Sequence, residues 1–219
     1  MAAGALPRVA AATARLSERV FLLSPADAGG RRAALLRSPD GASELARRLR
    51  SDAGAPLGEV FAFISSLYFR GKLAYASAFS RPPAGAEGAY VITPADGLRT
   101  PDVPIRSADL ERFAGVPVDP EEPRYRRPLL RDLEALAGRT GSAPVVLLGS
   151  IASKKYVELL LGVLGARLHF PTDFVGRGDM SRGGLLLRSA GAGRELPYQP
   201  LAGARLNGPR PAKLPPLPR

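Results

Sequence analysis

With 219 residues, 45% hydrophobic content and a net charge of +11 at pH 7, the chain can bury one core of ordinary size and reads as a single domain with appendages rather than two domains. The absence of cysteine excludes disulfides, thiolate metal sites and a cysteine nucleophile, and fits a reducing, cytoplasmic compartment. No apolar run reaches the roughly 18 residues that a bilayer span needs, since YVELLLGVLGARLHF is broken by Gly162, Gly165 and Arg167, so no membrane partner is expected.

Residues 1–18, rich in Ala and Arg with no acid before Glu18, read as a flexible N-terminal extension. Their composition is that of a transit peptide, but they lack the apolar centre of a secretory signal. RVFLLS at 19–24 is a short apolar run ending at Ser24-Pro25, which predicts a buried strand leading into a loop. GASELARRLRS at 41–51 opens on a capping Ser43 and spaces Leu45 and Leu49 four apart, which predicts a helix. From Gly58 to Phe79 the residues Phe61, Ile64, Leu67, Tyr68, Tyr75 and Phe79 keep helical spacing, so one or two helices are expected, weakest at Gly71. AYVITP at 89–94 predicts a second strand, and RYRRPLLRDLEALAG at 124–138 a helix with Pro128 near its start and Gly138 at its close. APVVLLGS at 143–150 is the cleanest buried strand. It leads into the predicted helix ASKKYVELLLGVLG and then into a fourth strand, ARLHF.

Nearly continuous apolar strands separated by helices imply a parallel sheet covered on both faces. The expected fold is a three-layer α/β sandwich over residues 19–200, with a short, mostly parallel, four-stranded Rossmann-like sheet. A basic, proline-rich tail follows at 201–219. In such sheets ligands sit outside the carboxyl ends of the strands. The loops there are SPADAGGRR, TPADGLRTPD, GSIASKK and PTDFVGRGDMSRGG, all rich in Gly or Pro together with charge.

LYFRGKLAYASAF, YVITPADGLRTPDVPI and VVLLGSIASKKYVELL occur in an order and spacing that resembles an uncharacterised bacterial family related to the peroxide-stress protein YaaA and to the uracil-DNA-glycosylase-like accessory domain of archaeosine synthase. Gly97-Leu98 with a downstream Pro-Asp, and GSIASKKY, carry the likeness, which spans roughly residues 19 to 190. The resemblance implies a doubly wound, uracil-DNA-glycosylase-like sheet and a nucleic-acid or nucleobase context. It does not bring base excision with it: the histidine motifs of true uracil-DNA glycosylases are absent, and Ser24 stands where the archaeosine enzyme has a cysteine.

The candidate site residues follow from those loops and from one helix. Lys154 and Lys155 fall in the first turn of a predicted helix, where the dipole disfavours cations; an anion over the amides of Ser150 to Ser153 would reverse that, and two solvated lysines are the alternative. GSIASKK lacks the second glycine and the Lys-Ser/Thr pair of a Walker loop, and no cofactor is expected. Tyr68, Lys72 and Tyr75 at i, i+4 and i+7 would present an amine between two rings for stacking a base, with Arg70 as a second cation; the alternative is core rings with Lys72 reaching past them. In VGRGDMSRGG, Gly176, Gly178, Gly183 and Gly184 would let amides approach a ligand held bidentately by Arg177 and Arg182. There Asp179 or Ser181 would cap the next element, and Asp179 would serve as a base or pair with an arginine. Ser24 and Gly97 complete the candidate binding set. His169, alone in an apolar run, reads as structural, and Asp27 and Asp96 are carboxylates that could join Asp179.

Both ends of the chain are basic, with 9 basic to 4 acidic residues over 1–50 and 8 to 3 over 171–219, against 14 to 13 between them. That asymmetry fits either an anionic partner or the arginine excess of a GC-rich genome. KLPPLPR at the end has the form of an SH3-type ligand, but the preferred reading is a tail draped over the domain or contacting an anion. Three classes remain open: a nucleic-acid or nucleotide-binding protein that acts on a nucleobase or nucleoside, a small-molecule enzyme for a phosphorylated or carboxylated substrate, and a non-catalytic interaction protein.

Overall fold

A computed structural model of the protein describes residues 18–212 and 214. The predicted N-terminal extension, Glu18 apart, and the KLPPLPR stretch, Leu214 apart, lie outside the described residues.

The four predicted strands form the parallel centre of one sheet. β1 (Val20–Leu23) lies between β3 (Ala89–Ile92) and β6 (Val145–Leu148), and β6 pairs in turn with β7 (Leu168–Pro171), all parallel. Every residue of β1 and β6 is buried, as continuous apolar runs covered on both faces require.

The sheet is mixed and six-stranded, not four-stranded. β4 (Leu98–Arg99) and β8 (Tyr198–Pro200) close its two edges antiparallel, in the order β4-β3-β1-β6-β7-β8. At two and three residues these edges are too short to carry a period of their own. They are recruited by pairing: Thr93 donates its amide to Gly97 O at 2.9 Å across a tight turn that brings β4 back onto β3. A second, two-stranded sheet joins β2 (Ala55–Pro56) to β5 (Pro104–Ile105).

The helices are α1 (Arg31–Arg37), α2 (Glu44–Arg50), α3 (Leu57–Phe79), α4 (Ser107–Ala114), α5 (Pro123–Thr140), α6 (Val157–Leu164) and α7 (Asp179–Gly191). Ser43 caps α2 by accepting from the Ala46 amide at 3.2 Å, as its sequence indicates. Crossovers between parallel strands are right-handed. The β1-to-β3 connection through α3 runs across the sheet one way, whereas β3-to-β6 through α5 and β6-to-β7 through α6 run the other, so helices cover both faces. Consistent with this, α7 packs along α3, and α5 packs on α6.

α3 is one span with an internal break at Ser66, whose φ of 49° and ψ of −126° are not helical. The break is not at Gly71, which is buried where α7 crosses. α7 itself replaces the expected glycine-rich loop: the helix begins at Asp179, with Gly178 as its N-cap and no side-chain cap. α1 and α4, seven and eight residues long, have too few turns to show a period in the sequence. Beyond the sheet, Leu201 is buried and donates its amide to Leu168 O at 2.7 Å. Leu206 packs on the core, so the first part of the tail is folded back onto the domain.

Candidate ligand recess

β1 leads off towards β3 and β6 towards β7, so the chain diverges between two adjacent parallel strands. That is the switch point where open α/β sheets bind ligands. A recess of about 510 Å³ opens there, within the range of about 300–1,000 Å³ typical of small-molecule sites. Its floor is the loop after β1, Ser24 to Gly29. Its walls come from Ser65, Tyr68 and Lys72 of α3, Pro94, Phe113 and Ala114 at the end of α4 with Val116 to Val118 beyond it, Ser150, Ser153, Lys155 and Tyr156 after β6, and Asp179 of α7.

The centre of the recess is polar and closely bonded. Ser24 is the first residue past β1, and its amide is held by Leu148 O at 3.2 Å. Lys72 donates from Nζ to Ser24 Oγ at 2.8 Å and to Ser24 O at 3.0 Å. The Lys72 side chain is 1% exposed and has no ion pair among the described residues. Burial lowers its pKa from 10.5 to about 7, with the carboxylate of Asp179 acting in the opposite direction. Its Nζ lies 4.2 Å from the Tyr68 ring centre and 4.9 Å from that of Phe69.

Tyr156 stands on the other side of Ser24. It donates its hydroxyl to Ser150 O at 3.1 Å and accepts from the Ser150 amide at 2.9 Å, which folds the turn after β6 over the recess. Burial raises its pKa, and hydrogen bonding to Ser24 and Ser150 offsets part of that. Between them lies Gly149, where a Cβ would sit 2.7 Å from Ser24 Cβ and 3.0 Å from both Ser24 Oγ and the Tyr156 hydroxyl. Only a residue without a side chain lets Ser24, Tyr156 and the end of β6 converge. Tyr68 is buried along the recess, and burial raises its pKa, an effect that the nearby Arg182 guanidinium partly offsets.

Of the residues singled out in the sequence, Ser24, Asp27, Tyr68, Lys72, Ser150, Ser153, Lys155 and Asp179 meet on this recess. The remaining candidates do not. Arg70 is exposed. Tyr75 lies on a different part of α3, bonded to the Tyr198 hydroxyl at 2.6 Å and accepting from the Leu196 amide at 2.8 Å, so Lys72 lies against Tyr68 and Phe69 instead of between two tyrosines. Gly97, at φ 65°, makes the β3–β4 turn against Pro128 O and the Asp132 carboxylate. Lys154 and Lys155 precede the helix, which begins only at Val157, and Lys155 alone reaches the recess.

The glycine-arginine segment is mostly consumed by the fold. Arg177 bonds Asp173 O at 3.0 Å and Ser181 Oγ at 3.2 Å, and Arg182 bonds Phe174 O and the Asp179 carboxylate. Gly183 packs on α3 and Gly176 against Pro209 of the tail, while Gly178 is the cap. Asp96 pairs with Arg112 at 2.7 Å, so of the three carboxylates considered together only Asp27 and Asp179 line the recess. His169 Nδ1 bonds Arg167 O at 3.0 Å in β7. Sequence reasoning missed Phe113 to Val118 altogether, because α4, which carries Phe113 and leads into the rest, is short. It left Tyr156 out of the site, although the tyrosine follows the lysine pair directly.

Fold and recess together define an α/β protein with a ligand-sized site at the switch point of its sheet. No protein-family model, curated protein or solved structure matches the chain. Among the described residues no helix is long and apolar enough to cross a membrane.

Proposed function

We propose that the recess binds a nucleoside or nucleotide. The observation that carries this reading is the composition of one recess. Phe113, Val116, Pro117 and the Tyr68 ring offer apolar surface for a base, Ser24, Ser65, Ser150 and Ser153 offer hydroxyls, Asp27 offers a carboxylate suited to sugar hydroxyls, and exposed Lys155 offers a rim cation suited to phosphate. The likeness of GSIASKKY and of Gly97-Leu98 to nucleobase-associated families points the same way.

A single nucleotide fits better than a polymer. The arginines expected to hold a ligand bidentately, Arg177 and Arg182, are bonded inside the domain, and Arg112 and Arg124 are paired with Asp96 and Glu122. Thermal shift and calorimetric titration with nucleosides and nucleotides, beside gel shifts with single-stranded DNA and RNA, test the reading. Binding of the monomers that weakens in Phe113→Ala and, for phosphorylated ligands only, in Lys155→Ala is the expected result. Stabilisation by inorganic phosphate or simple carboxylates, with no response to any nucleoside, would favour the small anionic substrate instead. Polymer binding unaffected by either substitution would move the ligand site off the recess.

A further inference from the structure

Ser24 and Lys72 form a contact that ligand binding alone does not explain. A buried ammonium without an ion-pair partner is costly, and an apolar side chain of similar length would pack at that position without the cost. The chain keeps an amine there and points it at a hydroxyl 2.8 Å away. An uncharged amine has two N–H groups and one lone pair. One N–H donated to Ser24 O, at 3.0 Å, leaves the lone pair to accept the Ser24 hydroxyl proton, which is the relationship of a nucleophile to its general base.

We propose that Ser24 is a nucleophile and Lys72 its general base, and that the recess hydrolyses a carboxylic ester. The amine takes the Ser24 proton as Oγ bonds to the ester carbonyl carbon. The resulting ammonium gives that proton to the departing alkoxide as the ester C–O bond breaks, releasing an alcohol and leaving an acyl group on Oγ. Water then attacks the acyl carbon, Lys72 accepts its proton, the Oγ–C bond breaks, and the proton returns to Oγ, so ester and water leave as acid and alcohol.

The surroundings suit each stage. The faces of Tyr68 and Phe69 stabilise the transient ammonium. The amide of Ser24 is anchored on β6 and its Cα is followed by Pro25, so the nucleophile does not wander. The apolar wall of Ala26, Phe113 and Val116 beside it fits a small uncharged acyl group. The low pKa of Lys72, about 7, keeps a large fraction of the amine unprotonated at neutral pH. None of this rests on the nucleoside reading.

The test is labelling of the folded full-length chain with an alkyl fluorophosphonate, read by peptide mass spectrometry, beside hydrolysis of p-nitrophenyl acetate. A single adduct on Ser24 is expected, abolished by denaturation and by Ser24→Ala. Lys72→Met should slow labelling by about 100-fold or more, while circular dichroism shows the variant folded. The wild-type labelling rate should rise with pH through the titration of Lys72, a profile that a packing role would not produce and that stands even if the variant fails to fold. No adduct on Ser24 in the folded protein at pH 8 overturns the proposal. So does an adduct formed at an unchanged rate in folded Lys72→Met, or one with no pH dependence. Because the probe contains no nucleoside, failure here leaves the binding reading to its own titrations.

Discussion

Gly71 of α3 and Gly183 of α7 meet backbone to backbone where the two helices cross: a Cβ on Gly71 would lie 2.5 Å from Gly183 O, and one on Gly183 2.6 Å from Tyr68 Cα. This approach seats α7 against the recess side of α3, so that Asp179, about one turn before Gly183, reaches the space that Lys72 lines. Gly183→Ala should therefore destabilise by about 1–3 kcal/mol through overpacking. In a chain of this size that lowers the melting temperature by roughly 2–4 °C per kcal/mol. Gly162 of α6 has open space around its Cβ position. Gly162→Ala should instead stabilise by up to about 1 kcal/mol through helix propensity and so raise the melting temperature slightly. Calorimetry on the two variants checks both directions, and equal losses would mean that the crossing is looser than described.

Lys72 makes stability depend on pH in a direction that can be derived. Its pKa is 10.5 in an exposed chain and about 7 in the fold. Between those values the unfolded state holds a proton that the folded state lacks, so unfolding takes up a proton and becomes harder as pH rises. Below about 7 both states are protonated and the penalty for the buried charge is present in full. Stability owed to this group should climb from pH 7 towards 10, by at most about 1.4 kcal/mol per pH unit, and Lys72→Met should flatten that climb. Urea unfolding of both proteins at pH 7.0, 8.0 and 9.0 measures it, and parallel curves would mean that the amine stays charged in the fold.

The parts of this architecture that announce themselves in the sequence are those where the backbone obeys a local rule. Three of the four parallel strands are uninterrupted apolar runs and the fourth is broken only by His169, Ser43 precedes a helical spacing, and 124–138 has the punctuation of a helix, which the structure extends to Pro123–Thr140 with Gly141 rather than Gly138 as its cap. The recess is legible to the same extent, because its floor is the loop ends of those strands and Ser24, Ser150 and Lys155 lie there. What the sequence hid depends on tertiary contact. Glycines at 183 and 184 read as a loop because a close helix crossing and a mobile turn use the same residue for different reasons. Arg177 and Arg182 read as ligand contacts because the carbonyls of Asp173 and Phe174, which bind them, belong to a turn with no signature. Lys72 read as an amine held between two tyrosine rings or reaching past them, since nothing local reveals that Ser24, 48 residues earlier, lies above it.

Ser66 holds φ 49° and ψ −126° inside α3, a conformation that side-chain-bearing residues seldom adopt and glycine adopts freely. Such strain costs about 1–3 kcal/mol, and the entropy of an added glycine in the unfolded chain returns about 0.5–1 kcal/mol of it. Ser66→Gly should accordingly stabilise the protein by about 1 kcal/mol. The break lies between Ser65 and Tyr68, both on the recess, so ligand affinity should be retained. Chemical denaturation of the variant decides this, and a loss of stability would place the break elsewhere in solution.

The far end of β1 carries a buried charge of a different kind. Arg19 is fully buried, and its Nε lies 2.6 Å from Glu195 Oε1 while Nη2 donates to Oε2 at 2.6 Å. Glu195 comes from the segment leading into β8, so the pair ties the start of the central strand to the sheet's edge, beside the Tyr75–Tyr198 hydroxyl pair in which burial pushes Tyr75 up to about 12. Losing one partner of a buried ion pair costs far more than the pair contributes, because the remaining charge is left in a poor solvent. Glu195→Gln should therefore cost about 3 kcal/mol, whereas the double variant Arg19→Met with Glu195→Leu should recover most of that loss. Melting temperatures of the two proteins decide it. If the single change proves silent, water reaches the guanidinium and the sheet's edge is held by the β7–β8 ladder and the tyrosines alone.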